Sequence, residues 1–359
     1  QHSVKELRAI GIQPDVLLCR APRPLQEDLR KKIALFTNVP GEAVISAHDV
    51  HTTIYEIPLM FHRQGLDEIV LRLLHLDGSE ADLSGWERVV SVFRGSASPV
   101  RIAVVGKYID LHDSYKSVDE ALFHGGIAND RRVELVKVDS EEPEKNGGSD
   151  AAWAEAFADV DGILVPGGFG SRGIEGMVGT ARYAREHQIP YFGICLGMQV
   201  MVIEYARSVL KYEDANSTEF DLNTSHPVVS LLEEQVDVKN YGGTMRLGAS
   251  DSHLLAGMLI REIYGGPVIQ ERHRHRYELS NRYRQELSEA GLRMAAVTSD
   301  HSLVESVQWS DHPWGIGVQF HPEFKSRPTA AHPLFASFIA ESIAHQSRAK
   351  SALRASSSV

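Results

Sequence analysis

Residues 189–207 read IPYFGICLGMQVMVIEYAR, and the fold turns on how that stretch is parsed. Residues 189–194 are a short apolar run of strand length, and 197–207 carry apolar side chains at helical spacing. Between them lies Gly193-Ile194-Cys195-Leu196-Gly197, a cysteine with a glycine two residues away on each side. A strand that turns sharply into a helix needs such glycines, because the residue at the turn is strained and crowded. The spacing predicts a nucleophile elbow with Cys in the place usually held by Ser. It sets the sulfur at a helix N-terminus, where free N–H groups and the macrodipole favour the reactive thiolate. A buried small hydrophobe is the plainer reading of a lone cysteine. The surrounding chain decides between the two.

Working outward, strands are expected at 100–105, 133–138 and 162–165, with helices at 117–126, 151–157 and 176–187. Residues 140–150 read as a surface loop, and Pro166-Gly167-Gly168-Phe169-Gly170 as a tight glycine turn at a strand's end. Beyond the elbow, 211–248 are polar and irregular. Strands follow at 294–299, 304–309 and 315–320, then a closing helix at 332–345. Strand–helix alternation with short joins predicts an α/β fold, a doubly wound, mostly parallel sheet over 100–345. Residues 346–359 lack a core pattern and are expected to be disordered. Upstream, 1–90 alternate as well, with strands at 16–19, 33–36 and 44–45 and helices at 25–32, 59–63 and 69–76. That is too little to close a sheet with its own core, so an N-terminal part is expected to be missing. Residues 91–99 read as a linker.

Composition narrows the function classes. The 359 residues are 43% apolar and 24% charged, as in an ordinary globular protein. A net charge of −11, from 37 basic and 48 acidic residues, argues against nucleic-acid binding. No apolar run is long enough to span a bilayer, and residues 1–11 contain no signal-peptide core. Cys19 and Cys195 are the only cysteines, so no disulfide framework exists and a cytoplasmic setting is expected.

A cysteine nucleophile needs a base, and the base needs an orienting group. The strand ending near Phe320 runs into His321-Pro322-Glu323. Residues i and i+2 of an extended segment point to one side, so the carboxylate can hold one imidazole nitrogen while the other faces the sulfur. Any one of seventeen histidines is more often a surface or core residue. Following an apolar strand in a chain with a cysteine elbow, His321 is the exception. The N–H of Leu196 and one from the Gly167–Gly168 turn are the expected oxyanion donors.

PGGFG, GICLGMQ and QFHPEF together resemble the class I (triad) glutamine amidotransferases, whose domain is flavodoxin-like. KYIDLHDSYKSVDEAL, VPGGFGSRGIEGM, ANSTEF, GGTMRLG and ERHRHRYE resemble the CTP synthase family in particular, and residues 1–90 resemble the end of its amidoligase (synthetase) domain. The resemblance implies a Cys195–His321–Glu323 triad, with glutamine held by Gly168, Leu196, Gly197, Met198, Gln199, Glu219 and Arg276. An amino-acid zwitterion needs a fixed anion and a fixed cation, and Glu219 and Arg276 are of the right types. For Arg272, His273, Arg274 and His275 a solvated basic turn is as good a reading as any. Residues 242–248 resemble an element linked to allosteric GTP activation, with Thr244 and Arg246 as candidate contacts. Read as residues only, they are a flexible loop.

The resemblance further implies ATP-dependent amination of UTP to CTP, with Mg²⁺ and ATP as cofactors and CTP as feedback inhibitor. It also implies a homotetramer able to form filaments. The family's phosphate loop and magnesium-binding acidic residues match nothing in this chain, and Val105-Gly106-Lys107 lacks the phosphate-loop frame. No metal ligands are assigned. Gln1, Lys32 and Val50 are the candidate nucleotide contacts. Alternatives are a stand-alone glutaminase or γ-glutamyl hydrolase, or a non-enzymatic assembly module.

Overall fold

The computed structural model describes residues 2–95, 97–109, 111, 113–146, 148–231 and 245–356. The chain forms two compact units, 1–96 and 97–359.

In the first unit, helix α1 (His2–Ala9) precedes strand β1 (Leu17–Ala21), α2 (Glu27–Thr37) and β2 (Val44–His48). Helices α3 (Ile57–His62), α4 (Leu66–Leu73) and α5 (Ser84–Arg94) follow. Strands β1 and β2 pair in parallel over a small core of Val39, Ala43, Val44, Ile45 and Ile69. The strand expected at 33–36 is instead the last turn of α2. Its four apolar residues divide at helical spacing, Ile33 and Ala34 packing on the core while Leu35 and Phe36 are exposed. Asn38, at φ 54°, then closes the helix in the left-handed conformation. Helix α5 runs to Arg94, through the first residues of the expected linker.

The second unit begins with β3 (Val100–Gly106), α6 (Lys116–Ala128) and β4 (Val133–Asp139). Next come the short α7 (Glu142–Lys145), α8 (Asp150–Ala156), β5 (Gly162–Val165), α9 (Ile174–Glu186), β6 (Tyr191–Ile194) and α10 (Leu196–Ser208). Strands β7 (Asn216–Ser217), β8 (Pro227–Ser230) and β9 (Arg246–Leu254) lead to α11 (Leu259–Tyr264) and β10 (Val268–His275). Strand β11 (Glu278–Leu279), α12 (Arg284–Glu289), β12 (Leu292–Thr298), β13 (Val304–Trp309), β14 (Gly315–Val318) and α13 (Pro333–Ser356) complete it.

Nine strands form one sheet in the order β10-β9-β12-β13-β14-β6-β5-β3-β4. From β14 to β4 neighbours are parallel, and from β14 outward to β10 they are antiparallel. The parallel half is covered on both faces, as its continuous apolar runs require. Ala103, Val105, Ile163, Val165 and Tyr191 face one way, toward α9 and α10. Ile102, Val104, Leu164 and Phe192 face the other, toward α6 and α13.

Two further expectations change. The basic stretch 272–275 is not a solvated turn but the end of β10, with Arg272 and Arg274 exposed and His273 and His275 buried. Pairing to β9 imposes the two-residue alternation that a run of polar residues could not reveal. The expected disordered tail is helical as far as Ser356: Gln346 donates to Pro99 O and Asp161 Oδ2, continuing α13 past its apolar part.

Phe192 is sealed among Trp314, Phe335 and Phe338, with ring centroids 5.2–5.8 Å away. Phe192→Ala is expected to destabilise the second unit by about 3–5 kcal/mol in urea unfolding, because so crowded a site cannot collapse.

Candidate active site

Cys195 lies between β6 and α10 at φ 53° and ψ −100°, a backbone conformation that side chains rarely adopt. Two glycines let the turn close. A Cβ on Gly197 would lie 2.1 Å from Val165 O, and one on Gly193 would lie 2.5 Å from Gly197 C. The turn is held by Cys195 N–H donating to Val318 O at 2.7 Å and by Tyr191 OH donating to Gly197 O at 2.9 Å. The first hydrogen bond ties the elbow to the end of β14, whose exit carries His321.

His321 follows β14, and its N–H donates to Arg272 O on β10 at 2.8 Å. Its Nδ1 lies 2.8 Å from Glu323 Oε1. The two side chains meet through a 3-10 turn over Pro322–Lys325 rather than along an extended segment. His321 Nε2 is buried without a hydrogen-bond partner, and the ring lies within electrostatic reach of Cys195. Gly167 lies over the pair: a Cβ there would be 2.9 Å from His321 Cε1 and 3.5 Å from Cys195 Cβ. Burial disfavours the imidazolium, but Cys195 and Glu323 outweigh it and raise the His321 pKa to about 10.

The PGGFG turn is pinned on the other side. Glu219 Oε1 accepts from Gly170 N–H at 2.9 Å, and Lys107 Nζ donates to Gly170 O at 2.5 Å. Burial lowers the Lys107 pKa to about 8, with Arg172 adding to it and Glu219 opposing. Arg274 stands over the Phe169 ring, 5.9 Å from its centroid. A cleft of about 640 Å³ opens above His321, lined by Leu247, Gly248, Arg272, His273, Arg274 and Phe324.

Leu196, Gly197 and Met198 are buried in the first turn of α10. Gln199 is buried too, its amide donating to Tyr277 O at 3.1 Å and to Gln319 Oε1 at 3.4 Å. Gln319 in turn donates to Cys195 Sγ at 3.7 Å. Its place beside the sulfur went unread in the sequence, as did the clamp made by Lys107. Arg276 is half-buried just past β10. Arg246 opens β9 with its guanidinium on Glu305 and Ser250. In the first unit Lys32 is exposed on α2, and Val50 lines a hollow of about 460 Å³ with Arg23, His48, Arg63 and Arg94. Gln1 and Thr244 lie outside the described residues.

Known proteins resemble this chain in both units. Residues 110–341 match the family model "Glutamine amidotransferase class-I", and residues 1–76 match "CTP synthase N-terminus". The glutaminase domain of Trypanosoma brucei CTPS, solved with bound acivicin, superposes with a TM-score of 0.63 at 41% identity, covering 68% of this chain and 94% of that one. The chain belongs to the class I glutamine amidotransferases, within the CTP synthase family. The CTP synthase of Syntrophus aciditrophicus is 53% identical over 348 residues, 97% of this chain and 64% of that protein. That of Clostridium beijerinckii is 50% identical over 339 residues, 94% of this chain and 62% of its own length. The chain thus spans less than two thirds of the curated CTP synthases it matches.

For this amidotransferase the raised His321 pKa has a definite sign. The folded protein holds that proton more tightly than the unfolded chain, so the stabilisation is fully present below about pH 6.5. It is lost as pH rises through about 10. Glu323→Gln is expected to bring the His321 titration, followed by NMR, down toward its ordinary range. Gly167→Ala should displace the imidazole and slow site-resolved alkylation of Cys195 roughly tenfold, leaving the unfolding midpoint nearly unchanged.

Proposed function

We propose that residues 97–345 hydrolyse glutamine to glutamate and ammonia, and that in the whole protein this ammonia aminates UTP to CTP. The observation that carries the reading is His321, held through Nδ1 by Glu323 at 2.8 Å and coupled to Cys195, which stands at a strained helix N-terminus. A thiolate–imidazolium pair there is a nucleophile and a general acid in one contact.

The Cys195 thiolate attacks the side-chain amide carbon of glutamine, forming a C–S bond. The oxyanion is received by the Leu196 N–H and a second N–H of the Gly167–Gly168 turn. His321 gives its proton to the amide nitrogen, the C–N bond breaks and ammonia leaves. Neutral His321 then takes a proton from water, hydroxide attacks the thioester, and glutamate departs with the thiolate restored. Glu323 keeps the imidazole oriented and its cation stabilised throughout. Glu219 and Arg276 are assigned to the α-ammonium and α-carboxylate of glutamine. Gly168, Gly197, Met198 and Gln199 shape the pocket floor, with Gln199 acting through Gln319.

Amination consumes ATP, with Mg²⁺, in the synthetase domain, to whose C-terminal part residues 1–90 are assigned. Among the described residues no three His, Cys, Asp or Glu side chains gather as a metal ion needs, and no step through Mg²⁺ is derived from this chain. Val50 in its hollow, with Lys32 and Gln1, is assigned to nucleotide contacts. Thr244 and Arg246 are assigned to GTP activation, CTP to feedback inhibition, and a homotetramer able to form filaments to the whole protein. No described helix is long and apolar enough to cross a membrane, and a cytoplasmic setting fits the family.

Ammonia release from glutamine, followed with and without GTP, tests the reading. Cys195→Ala is expected to abolish it, and Glu219→Gln to raise KM with a smaller effect on kcat. Equal release from the Cys195→Ala variant and its parent would overturn it.

A further inference from the structure

Strand β10 turns its arginines to solvent and seals its histidines inside. Behind it, side chains from four strands close on one another. Arg246 Nη1 lies 2.5 Å from Glu305 Oε1 and 3.9 Å from Glu278 Oε1. Glu305 Oε2 is 3.4 Å from His273 Nε2, His273 Nδ1 is 3.0 Å from His275 Nε2, and His275 Nδ1 is 3.4 Å from Glu278 Oε1. His273 Nε2, His275 Nδ1, Glu278 Oε2 and Glu305 Oε2 make no hydrogen bond of ordinary geometry, so the two 3.4 Å contacts are ion-pair distances. On its main chain the same strand serves the triad. Arg272 O accepts from His321 N–H, and Arg274 O lies 4.0 Å from Cys195 Sγ.

Counting protons fixes the direction of this circuit. One hydrogen must lie between the two rings, so two neutral histidines must share a tautomer. With both protons on Nε2, His273 donates to Glu305 and His275 offers a bare Nδ1 to Glu278, which must then be the acid. With both on Nδ1 the roles reverse and Glu305 must be the acid. Arg246 sits much closer to Glu305, so Glu305 is the carboxylate.

The circuit then carries no net charge, as so buried a site requires. A charged ring would instead add a cation beside Arg246 and His321. Burial, then Arg246, lower the pKa of His273 to about 2 and of His275 to about 3, with His321 adding to both and the Tyr277 main chain opposing at His275. Burial and Glu305 raise Glu278 to about 8 against the pull of Arg246. Glu305 is itself raised by burial, with Arg246 opposing and Asp300 adding.

We propose that Glu278 is a positioning residue: as the neutral acid it donates to His275 and closes a directed circuit that fixes β10 beneath Cys195 and His321. The catalytic consequence rests on the glutaminase reading above; the proton pattern does not.

The test uses ¹⁵N-histidine NMR on the full chain at neutral pH, with site-resolved alkylation of Cys195 by iodoacetamide. Both His273 and His275 are expected to be neutral and protonated on Nε2. Glu278→Gln should keep both tautomers and the parent's alkylation rate, since its amide N–H replaces the acid O–H. Glu278→Leu strands His275 Nδ1, and should change that ring's tautomer and slow alkylation roughly tenfold. As pH rises through about 8 the parent's rate should show a break beyond any that the Gln variant shows. Lys107 titrates in the same range but is common to both proteins.

An Nδ1 proton on either ring of the parent, the same break in parent and Gln variant, or a Leu variant indistinguishable from the parent, overturns the proposal. Should the Leu variant not fold, the parent and Gln spectra decide. Nε2 tautomers in proteins that release no ammonia would count against the glutaminase reading and leave the circuit standing.

Discussion

The contact between Gly197 and the Val165 carbonyl sets the geometry of the second unit's site. Helix α10 must begin against the end of β5, so close that no side chain fits between them. Only from that start can β6 hand the chain into the helix with Cys195 at φ 53°. A conformation of that kind costs on the order of 1–3 kcal/mol and persists only where its surroundings over-determine it. Here the buried strands β5 and β14 and the bonds to Val318 O and from Tyr191 OH do so. The turn leaves Cys195 buried at the edge of the apolar core, with its sulfur against Arg274 O and the Gln319 amide.

The candidate site lies where the two halves of the sheet meet. Cys195 comes from the parallel half, where fully buried strands and covering helices make a rigid support. His321 and Glu323 leave β14, the last parallel strand and the first with an antiparallel neighbour. The antiparallel wing then folds back, so that β10 main-chain carbonyls reach the histidine and the cysteine. One strand thereby presents arginines to the cleft, carbonyls to the triad and histidines to a sealed ionic cluster. The cluster's burial makes it expensive to leave any member unpaired, which is why its order bears on the position of β10.

Much of this was legible along the chain. The strands and helices from 100 to 207 are local patterns, apolar runs and helical periodicity whose signals need no partner to be read. Glycines at 193 and 197 announced close approaches to backbone that no side chain fits, and those at 167 and 168 a turn with little room for one. His321 and Glu323 stood out because two residues suffice to bring their side chains together, although a 3-10 turn, not a strand, does it. Residues 33–36 were misread because a short apolar run has no period of its own, and one exposed edge was enough to keep it helical. Residues 272–275 were misread because polar residues in strict alternation carry no hydrophobic signal.

The sequence by itself determined the elbow, the His321–Glu323 pairing and the family, since each is written in short stretches of residues whose spacing limits the backbone. Tertiary structure alone decided that Gln319 bridges Gln199 and Cys195, that Lys107 clamps Gly170, and that Arg246, Glu278 and Glu305 meet two histidines behind β10. Apart from Glu278, three residues from His275, those partners are tens of residues or more apart in the chain. Their charges have meaning only once burial removes water and pairing to β9 turns every second side chain of β10 inward.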